Sequence, residues 1–228
     1  MMLRITKLDK HFGGVYAVHD CTFDIKEGTI TSIIGPNGAG KTTLFNLITG
    51  ILPPDKGSVR FKNQNITGFK PYKVARAGIS RTFQLAKVFK NLTVRDNLLL
   101  ASNVNDAELK KILAHVHYGR ELDTLAGELS YGQQRLVEIA RALLFPHSLL
   151  MLDEPTAGVN PKVRQELKQI LTRLKKQGST IVLIEHDMDF VMSISDRVIV
   201  LNEGTVLTSG TPAQVRKNPK VLEAYLGK

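Results

Sequence analysis

Gly35-Pro36-Asn37-Gly38-Ala39-Gly40-Lys41-Thr42 fits the pattern Gly-x-x-x-x-Gly-Lys-Ser/Thr, a loop whose backbone N–H groups and lysine hold the phosphates of a nucleoside triphosphate. Its flanks supply the context that the pattern needs. Gly28-Thr29-Ile30-Thr31-Ser32-Ile33-Ile34 reads as a strand entering the loop, and Thr42-Thr43-Leu44-Phe45-Asn46-Leu47-Ile48-Thr49 as a helix leaving it, closed by Gly50. Glycines let the backbone curl until successive N–H groups point inward, and the helix that follows aims its positive end at the anion. Asn37, Gly38, Ala39 and Gly40 are therefore candidates for the cradle. Lys41 would reach the β- and γ-phosphates, Thr42 would place its hydroxyl on Mg²⁺, and Thr43 would add a donor nearer the α-phosphate.

Outward from this unit, residues 2–34 show short strand-like alternations separated by Gly13-Gly14 and Glu27-Gly28, as in an antiparallel sheet. Strand and helix signals then alternate: a helix near 41–49, strands around 58–61 and 79–83, and a helix over 131–144. A strand at 148–153, a helix at 161–177, a strand at 179–184 and a helix at 187–194 follow. That order predicts βα units around a parallel sheet. The tail returns to strand, turn and strand over 197–207, with short helices after Pro212 and Pro219. Residues 94–126 have helical composition and no buried-strand run, which predicts a small helical insertion between strands.

Leu149-Leu150-Met151-Leu152-Asp153-Glu154-Pro155 is an apolar run that turns abruptly acidic. Such a run is what a strand buried on both faces looks like, and its two carboxylates fall at the carboxyl end, where ligands sit in open α/β sheets. Asp153 there can hold Mg²⁺ through water, and Glu154 can act on an attacking water. Leu129-Ser130-Tyr131-Gly132-Gln133-Gln134 lies just upstream, with Ser130 placed as N-cap of a helix running through Arg141.

This last segment closely resembles the signature sequence of ATP-binding-cassette ATPases, and other elements of that family then fall into order. Gln84, after Arg81-Thr82-Phe83, resembles the glutamine that links Mg²⁺ and the attacking water to the helical subdomain. His186, after Thr180-Ile181-Val182-Leu183-Ile184-Glu185, resembles the switch histidine that touches the γ-phosphate. Phe12, before Gly13-Gly14, matches the aromatic position that stacks on adenine, with Val18 beside it. The resemblance spans about Leu3 to Leu226. It implies an α/β P-loop ATPase: a parallel-sheet core, an N-terminal antiparallel β subdomain and a small helical subdomain at about 85–145, together one nucleotide-binding domain over 1–228. In the family two such domains face each other head to tail. Ser130, Gly132 and Gln133 would then complete the ATP site of the opposite subunit, whether a second copy or a different chain.

Several stretches look closest to the ATPases of branched-chain amino acid importers: His11 to Val18, Arg81-Thr82-Phe83-Gln84, Tyr131-Gly132-Gln133-Gln134, Ala157-Gly158-Val159-Asn160-Pro161, Glu185-His186-Asp187-Met188, and the tail from Val221 to Gly227. The broad family often ends its loop after Pro155-Thr156 with Asp where this chain has Asn160, and in those importers asparagine is usual. Residues 94–126 look shorter than the helical subdomain of typical members, which is the region that receives the membrane subunit. The resemblance implies ATP and Mg²⁺ as cofactors and transmembrane permease subunits as partners. A periplasmic or extracellular binding protein would be engaged indirectly, and the chain would lie peripherally on the cytoplasmic face of the inner membrane. ATPases of urea importers and of lipopolysaccharide exporters are the alternatives within transport.

Bulk properties fit that reading. The 228 residues suffice for one large domain, and the single cysteine, Cys21, excludes an intramolecular disulfide and a multi-cysteine metal site. Cys21 lies in a strand-like stretch and reads as a packed thiol. Met1-Met2-Leu3-Arg4-Ile5-Thr6-Lys7 breaks into charge before an apolar h-region forms, and no apolar run approaches a membrane span, so the chain is expected to be intracellular. The net charge of +10 would suit nucleic acid, but the lysines are scattered. Cassette ATPases that act on nucleic acid or ribosomes carry tandem cassettes or a long coiled coil, whereas 129 − 41 = 88 positions without a heptad run separate Lys41 from Leu129. No nucleic-acid partner is expected.

Overall fold

Leu3–Phe12 (β1) and Val15–Ile25 (β2) pair antiparallel across the Gly13-Gly14 turn, as their alternation of apolar and polar residues requires. The computed structural model describes residues 1–82 and 88–226, with Leu226 by its backbone alone. The third strand of the N-terminal stretch, Ile30–Ile34 (β3), does not extend this sheet. All five of its residues are buried, and a strand buried on both faces belongs in the middle of a helix-covered parallel sheet. The place beside β1 is taken by Lys56–Phe61 (β4), followed by Gln64–Asn65 (β5), so the antiparallel sheet runs β2-β1-β4-β5. The expectation that the strand near 58–61 belongs to a βα unit is corrected in the same way: its partners are β1 and β5, both antiparallel.

The second sheet gathers the apolar runs. Ile79–Arg81 (β6), Leu149–Asp153 (β7), Thr180–Ile184 (β8), Arg197–Asn202 (β9) and Thr205–Gly210 (β10) join β3 in the order β10-β9-β3-β8-β7-β6. All pairings are parallel except that of the edge strand β10. The strand expected over 79–83 ends at Arg81 within the described residues, and Phe83 lies outside them.

Helices cover both faces. Lys41–Ile48 (α1) is wedged between the two sheets, where Leu44, Phe45 and Ile48 share a core with Leu3, Ile5 and Phe23 on one side and Met151, Val182 and Ile184 on the other. Pro71–Ala77 (α2) precedes β6. Val94–Leu99 (α3), Asp106–His115 (α4) and Tyr131–Leu144 (α5) follow it, and Leu98, Leu109 and Leu113 join a second core with Leu136 and Val137 of α5. This core continues under Pro161–Lys176 (α6) and Met188–Ile194 (α7) to Leu150, Leu152, Ile181 and Leu183. Alternate residues of one strand thus serve opposite cores, each buried Leu or Ile contributing roughly 1.5–3 kcal/mol of transfer free energy. Pro212–Arg216 (α8) and Pro219–Leu226 (α9) close the chain.

Local signals fix where the helices begin. Ser130 accepts from the N–H of Gln133, whose side chain accepts from the N–H of Ser130, a reciprocal capping box at the start of α5. Asn160 caps α6 with Pro161 in its first turn, and Asp187 caps α7. The apolar residues of α6, Val163, Leu167, Ile170, Leu171 and Leu174, recur at helical spacing and are its buried face.

Cys21 is fully buried in β2, and its thiol donates to the carbonyl of Gly204 at 3.1 Å. Burial pushes its pKa up to about 11. At pH 8 the native protein is therefore expected to resist thiol-directed reagents and to react only as it unfolds, which a reaction time course with and without denaturant checks.

Candidate functional site

Strand register builds the site. Ile33 lies level with Ile184, and Ile184 with Asp153, so β3, β7 and β8 release their following residues at one edge of the sheet. β3 delivers residues 35–40, β7 delivers Asp153 and Glu154, and β8 delivers Glu185 and His186. A cavity of about 290 Å³ opens there, walled by residues 37–43 on one side and by Glu154 and His186 on the other, with Ala17 of β2 at its rim. Every expected phosphate-cradle residue, Asn37, Gly38, Ala39, Gly40, Lys41, Thr42 and Thr43, lines this one cavity.

Gly40 shows why the loop needs its glycine. It stands at φ 93°, and a Cβ there would sit 2.1 Å from the carbonyl oxygen of Ala17, so no side chain fits. Gly40 also offers no side-chain cap to α1, which leaves the first-turn N–H groups of that helix directed at the cavity for an anion. Lys41 is only 6% exposed and folds back on the loop, donating to the carbonyls of Gly35 at 2.8 Å and Pro36 at 2.9 Å. Burial lowers its pKa, while the carboxylates of Glu154 and Asp153 act in the opposite direction.

Asp153 is buried at the end of β7. Its Oδ2 accepts from Arg81 at 2.8 Å, and its Oδ1 has no hydrogen-bond partner among the described residues. Burial pushes its carboxyl upward, against the pull of Arg81. A buried carboxylate oxygen left over in this way is a hard acceptor of the kind that suits Mg²⁺, and Asp153 adjoins Glu154, which lines the cavity together with Thr42. Among the described residues no three His, Cys, Asp or Glu side chains gather to hold a metal. Glu154 stands at φ 47°, a left-handed conformation costly for a non-glycine residue and found where a site demands it. His186 Nε2 lies 2.8 Å from Glu154 Oε1, the imidazole donating to the carboxylate.

Two residues beyond those read from the sequence hold this constellation. Arg81 of β6 donates to Asn46 at 2.7 Å, Thr49 at 3.0 Å and Asp153, tying α1 to β7. Glu185 is buried and accepts from the N–H of Thr156 at 2.8 Å and of His186 at 3.1 Å, tying the loop after β7 to that after β8. Burial raises its carboxyl, opposed by those hydrogen bonds. The signal for Glu185 is a charged residue closing the largely apolar run of β8, whereas Arg81, after Ile79 and Ser80, carries no such mark.

The remaining expected residues lie elsewhere. Val18 is fully buried among core side chains, because alternation along β2 turns it inward; its neighbour Ala17 is the residue at the cavity. Phe12 is 51% exposed at the end of β1, with the Lys10 ammonium 5.7 Å from its ring centroid. Ser130, Gly132 and Gln133 open α5 and do not line the cavity. Gln84 falls outside the described residues.

A sheet of this order with a phosphate loop after β3 and an acidic pair at the end of β7 defines a P-loop ATPase. The chain belongs to the ABC transporter family, whose model matches residues 18–157, and residues 205–228 match the model described as branched-chain amino acid ATP-binding cassette transporter. It is 42% identical to the high-affinity branched-chain amino acid transport ATP-binding protein BraF of Pseudomonas aeruginosa, over 99% of this chain and 98% of that protein. With LivG of Salmonella typhimurium, named for the same transport, identity is 40% over the same shares. Among solved structures it resembles a nucleotide-free ATP-binding cassette from an ABC transporter, with a TM-score of 0.91 and 35% identity over 100% of this chain and 99% of that one. It also resembles a dimeric cassette in a post-hydrolysis state bound to ADP and Pi, with a TM-score of 0.82 and 26% identity over 92% and 99%. Members of the family bind nucleotide and hydrolyse ATP.

Replacing Arg81 with Met strips a cation from a carboxylate that is already hard to ionise, and is expected to destabilise the protein by about 3 kcal/mol at pH 7. The variant's Asp153 would hold a proton more tightly folded than unfolded, so its deficit should shrink as pH falls and the carboxyl protonates. Urea unfolding at pH 5 and pH 8 measures this, and equal deficits would refute it.

Proposed function

We propose that the chain is the ATP-hydrolysing subunit of an importer for branched-chain amino acids, working as one half of a head-to-tail cassette dimer. The observation that carries the reading is the division of the machinery. The phosphate loop, Glu154 and His186 face one cavity, while Ser130, Gly132 and Gln133 stand apart at the start of α5. A cavity open on one side calls for a second cassette, whose signature turn would close it. The resemblance to a dimeric cassette supports the same arrangement.

In this reading Lys41 leaves the carbonyls of Gly35 and Pro36 for the β- and γ-phosphates, and the first-turn N–H groups of α1 hold the remaining phosphate oxygens. Phe12, exposed on its hairpin, offers a ring for the adenine. Mg²⁺, held by Thr42 and Asp153 and by Gln84 as in the family, would offset charge on the phosphates. Glu154 accepts a proton from the attacking water, and His186 orients that carboxylate and contacts the γ-phosphate. Positioning and electrostatics of this kind carry phosphoryl transfer.

In this reading the chain lies peripherally on the cytoplasmic face of the membrane, against a permease subunit. No helix among the described residues is long and apolar enough to cross a membrane. A groove of about 470 Å³ between α5 and the segment carrying α3 is lined by Phe89, Leu100 and Phe145, the first two more than half exposed. Glu138 and Arg141 also line it, and a groove that pairs apolar side chains with charges suits a helix of a permease subunit, in the subdomain expected over about 85–145. The binding protein would act through the permease.

Glu154→Gln should retain ATP binding and trap a closed dimer, visible by size-exclusion chromatography with ATP, while near-normal hydrolysis in that variant would exclude Glu154 as the proton acceptor. Lys41→Ala should weaken nucleotide affinity itself, on the order of tenfold or more for a lost charge-assisted contact, measured by fluorescent-nucleotide titration.

The transport assignment is tested by expressing the chain with the products of neighbouring genes. Co-purification with two permease proteins and uptake of leucine dependent on Lys41 are expected. Salt-sensitive capture of nucleic acid in place of permeases would defeat it.

A further inference from the structure

Arg135, one turn into α5, is the largest fully buried side chain of the described residues. Its guanidinium donates through Nη1 to the Glu138 carboxylate at 2.7 Å and through Nη2 to the backbone carbonyl of Glu154 at 3.2 Å. Nη2 also lies 3.5 Å from the Tyr131 hydroxyl, and the guanidinium carbon stands 5.9 Å from the centroid of that ring. Tyr131 in turn packs over Gly158, where an added Cβ would come within 3.1 Å of the ring and the backbone stands at φ 70°. The first turns of α5 therefore grip both ends of the segment from Glu154 to Gly158. Within it the left-handed backbone of Glu154 is held by hydrogen bonds on both sides: its N–H donates to Ile184 O at 3.0 Å, and its carbonyl accepts from Ala157 N–H at 3.1 Å and from Arg135.

We propose that Arg135 is a positioning residue that yokes the signature turn of this chain to its own Glu154, so that one chain's closure on the ATP of the opposing cassette sets the carboxylate acting at its own ATP. The inference rests on the head-to-tail reading above. Its physical basis is the rigidity of the parts. A planar guanidinium holding two acceptors cannot follow one and release the other without losing a buried charge-assisted bond. Movement of Ser130 and Gln133 toward a γ-phosphate pulls on the start of α5. Arg135 and the Tyr131 ring carry that displacement into the Glu154–Gly158 segment. A shift of about 1 Å in a catalytic carboxylate is enough to change turnover by up to roughly a hundredfold.

The test pairs this chain with an opposing cassette silenced at its water-polarising glutamate, Glu154→Gln where that cassette is a second copy and the equivalent change where it is a distinct subunit. Turnover in such a pair comes only from the tested chain's Glu154, at an ATP closed by the opposing chain's intact signature turn. The tested chain carries Arg135→Lys, which keeps a cation beside Glu138 but cannot bridge both acceptors. A second version carries Arg135→Met with Glu138→Leu, which removes both buried charges together and so protects the fold. Both are expected to lower kcat roughly tenfold or more. KM for ATP is expected to stay within about twofold, because ground-state binding is untouched. A residue that only shaped the signature turn would affect the silent site and leave this kcat unchanged, and an unchanged kcat in the two variants overturns the proposal. Failure of the unsubstituted chain to assemble and turn over with its silenced partner would instead defeat the head-to-tail reading.

Discussion

Parallel pairing of β3 with β8 and of β8 with β7 is the constraint on which the rest depends. It sets Ile33, Ile184 and Asp153 level across the sheet, and three chain segments far apart in sequence then emerge at one edge. Alternate residues of these strands feed separate cores, Leu150 and Leu152 on one side and Leu149 and Met151 on the other. A slip of one residue would exchange the two sets and would also move Asp153 away from Arg81 and Glu154 away from His186. Core packing and site geometry are therefore fixed by the same register.

The edge so formed concentrates buried charge. Lys41, Arg81, Asp153 and Glu185 are all 7% exposed or less by residue or side chain, and each ionised group has been taken from water at a cost that its partners must offset. Arg81 and Glu185 have those partners within the protein, across from α1 and the loop after β7. Lys41 and Asp153 do not have theirs in full among the described residues: the lysine rests on backbone carbonyls, and one carboxylate oxygen accepts from none of them. That imbalance is what an anionic nucleotide with a divalent cation would relieve. It gives a physical reason for this edge to act as a binding site while the rest of the sheet is packing.

The phosphate cradle was legible because its chemistry is local. Gly40, Lys41 and Thr42 adjoin in sequence, and the strand and helix that present them adjoin the loop. The acidic pair was legible because a strand buried on both faces cannot continue into Asp153-Glu154 without ending. Capping at Ser130 was equally local, and the start of α5 follows from it. Val18 was misplaced for a simple reason: which face of β2 meets the cavity depends on how the antiparallel sheet seats against the phosphate loop, and proximity in sequence to Phe12 carries no information about that. The strands at 30–34 and 56–61 were assigned to the wrong sheets on similar grounds, since strand signals specify extended backbone and burial but not partners.

Sequence alone determined which segments are strands and helices, where the phosphate-loop pattern sits between a strand and a helix, and which acids end the buried strand, since each is a matter of residues within a turn or two of one another. The tertiary structure decided what those pieces do together. Arg81 reaches Asp153 across 72 positions, Glu185 secures Thr156 across 29, and Arg135 holds the carbonyl of Glu154 across 19. These contacts exist only because parallel strands with matched ends bring distant loops to one edge, and no periodicity or spacing in the chain encodes a bond between residues that only the sheet makes neighbours.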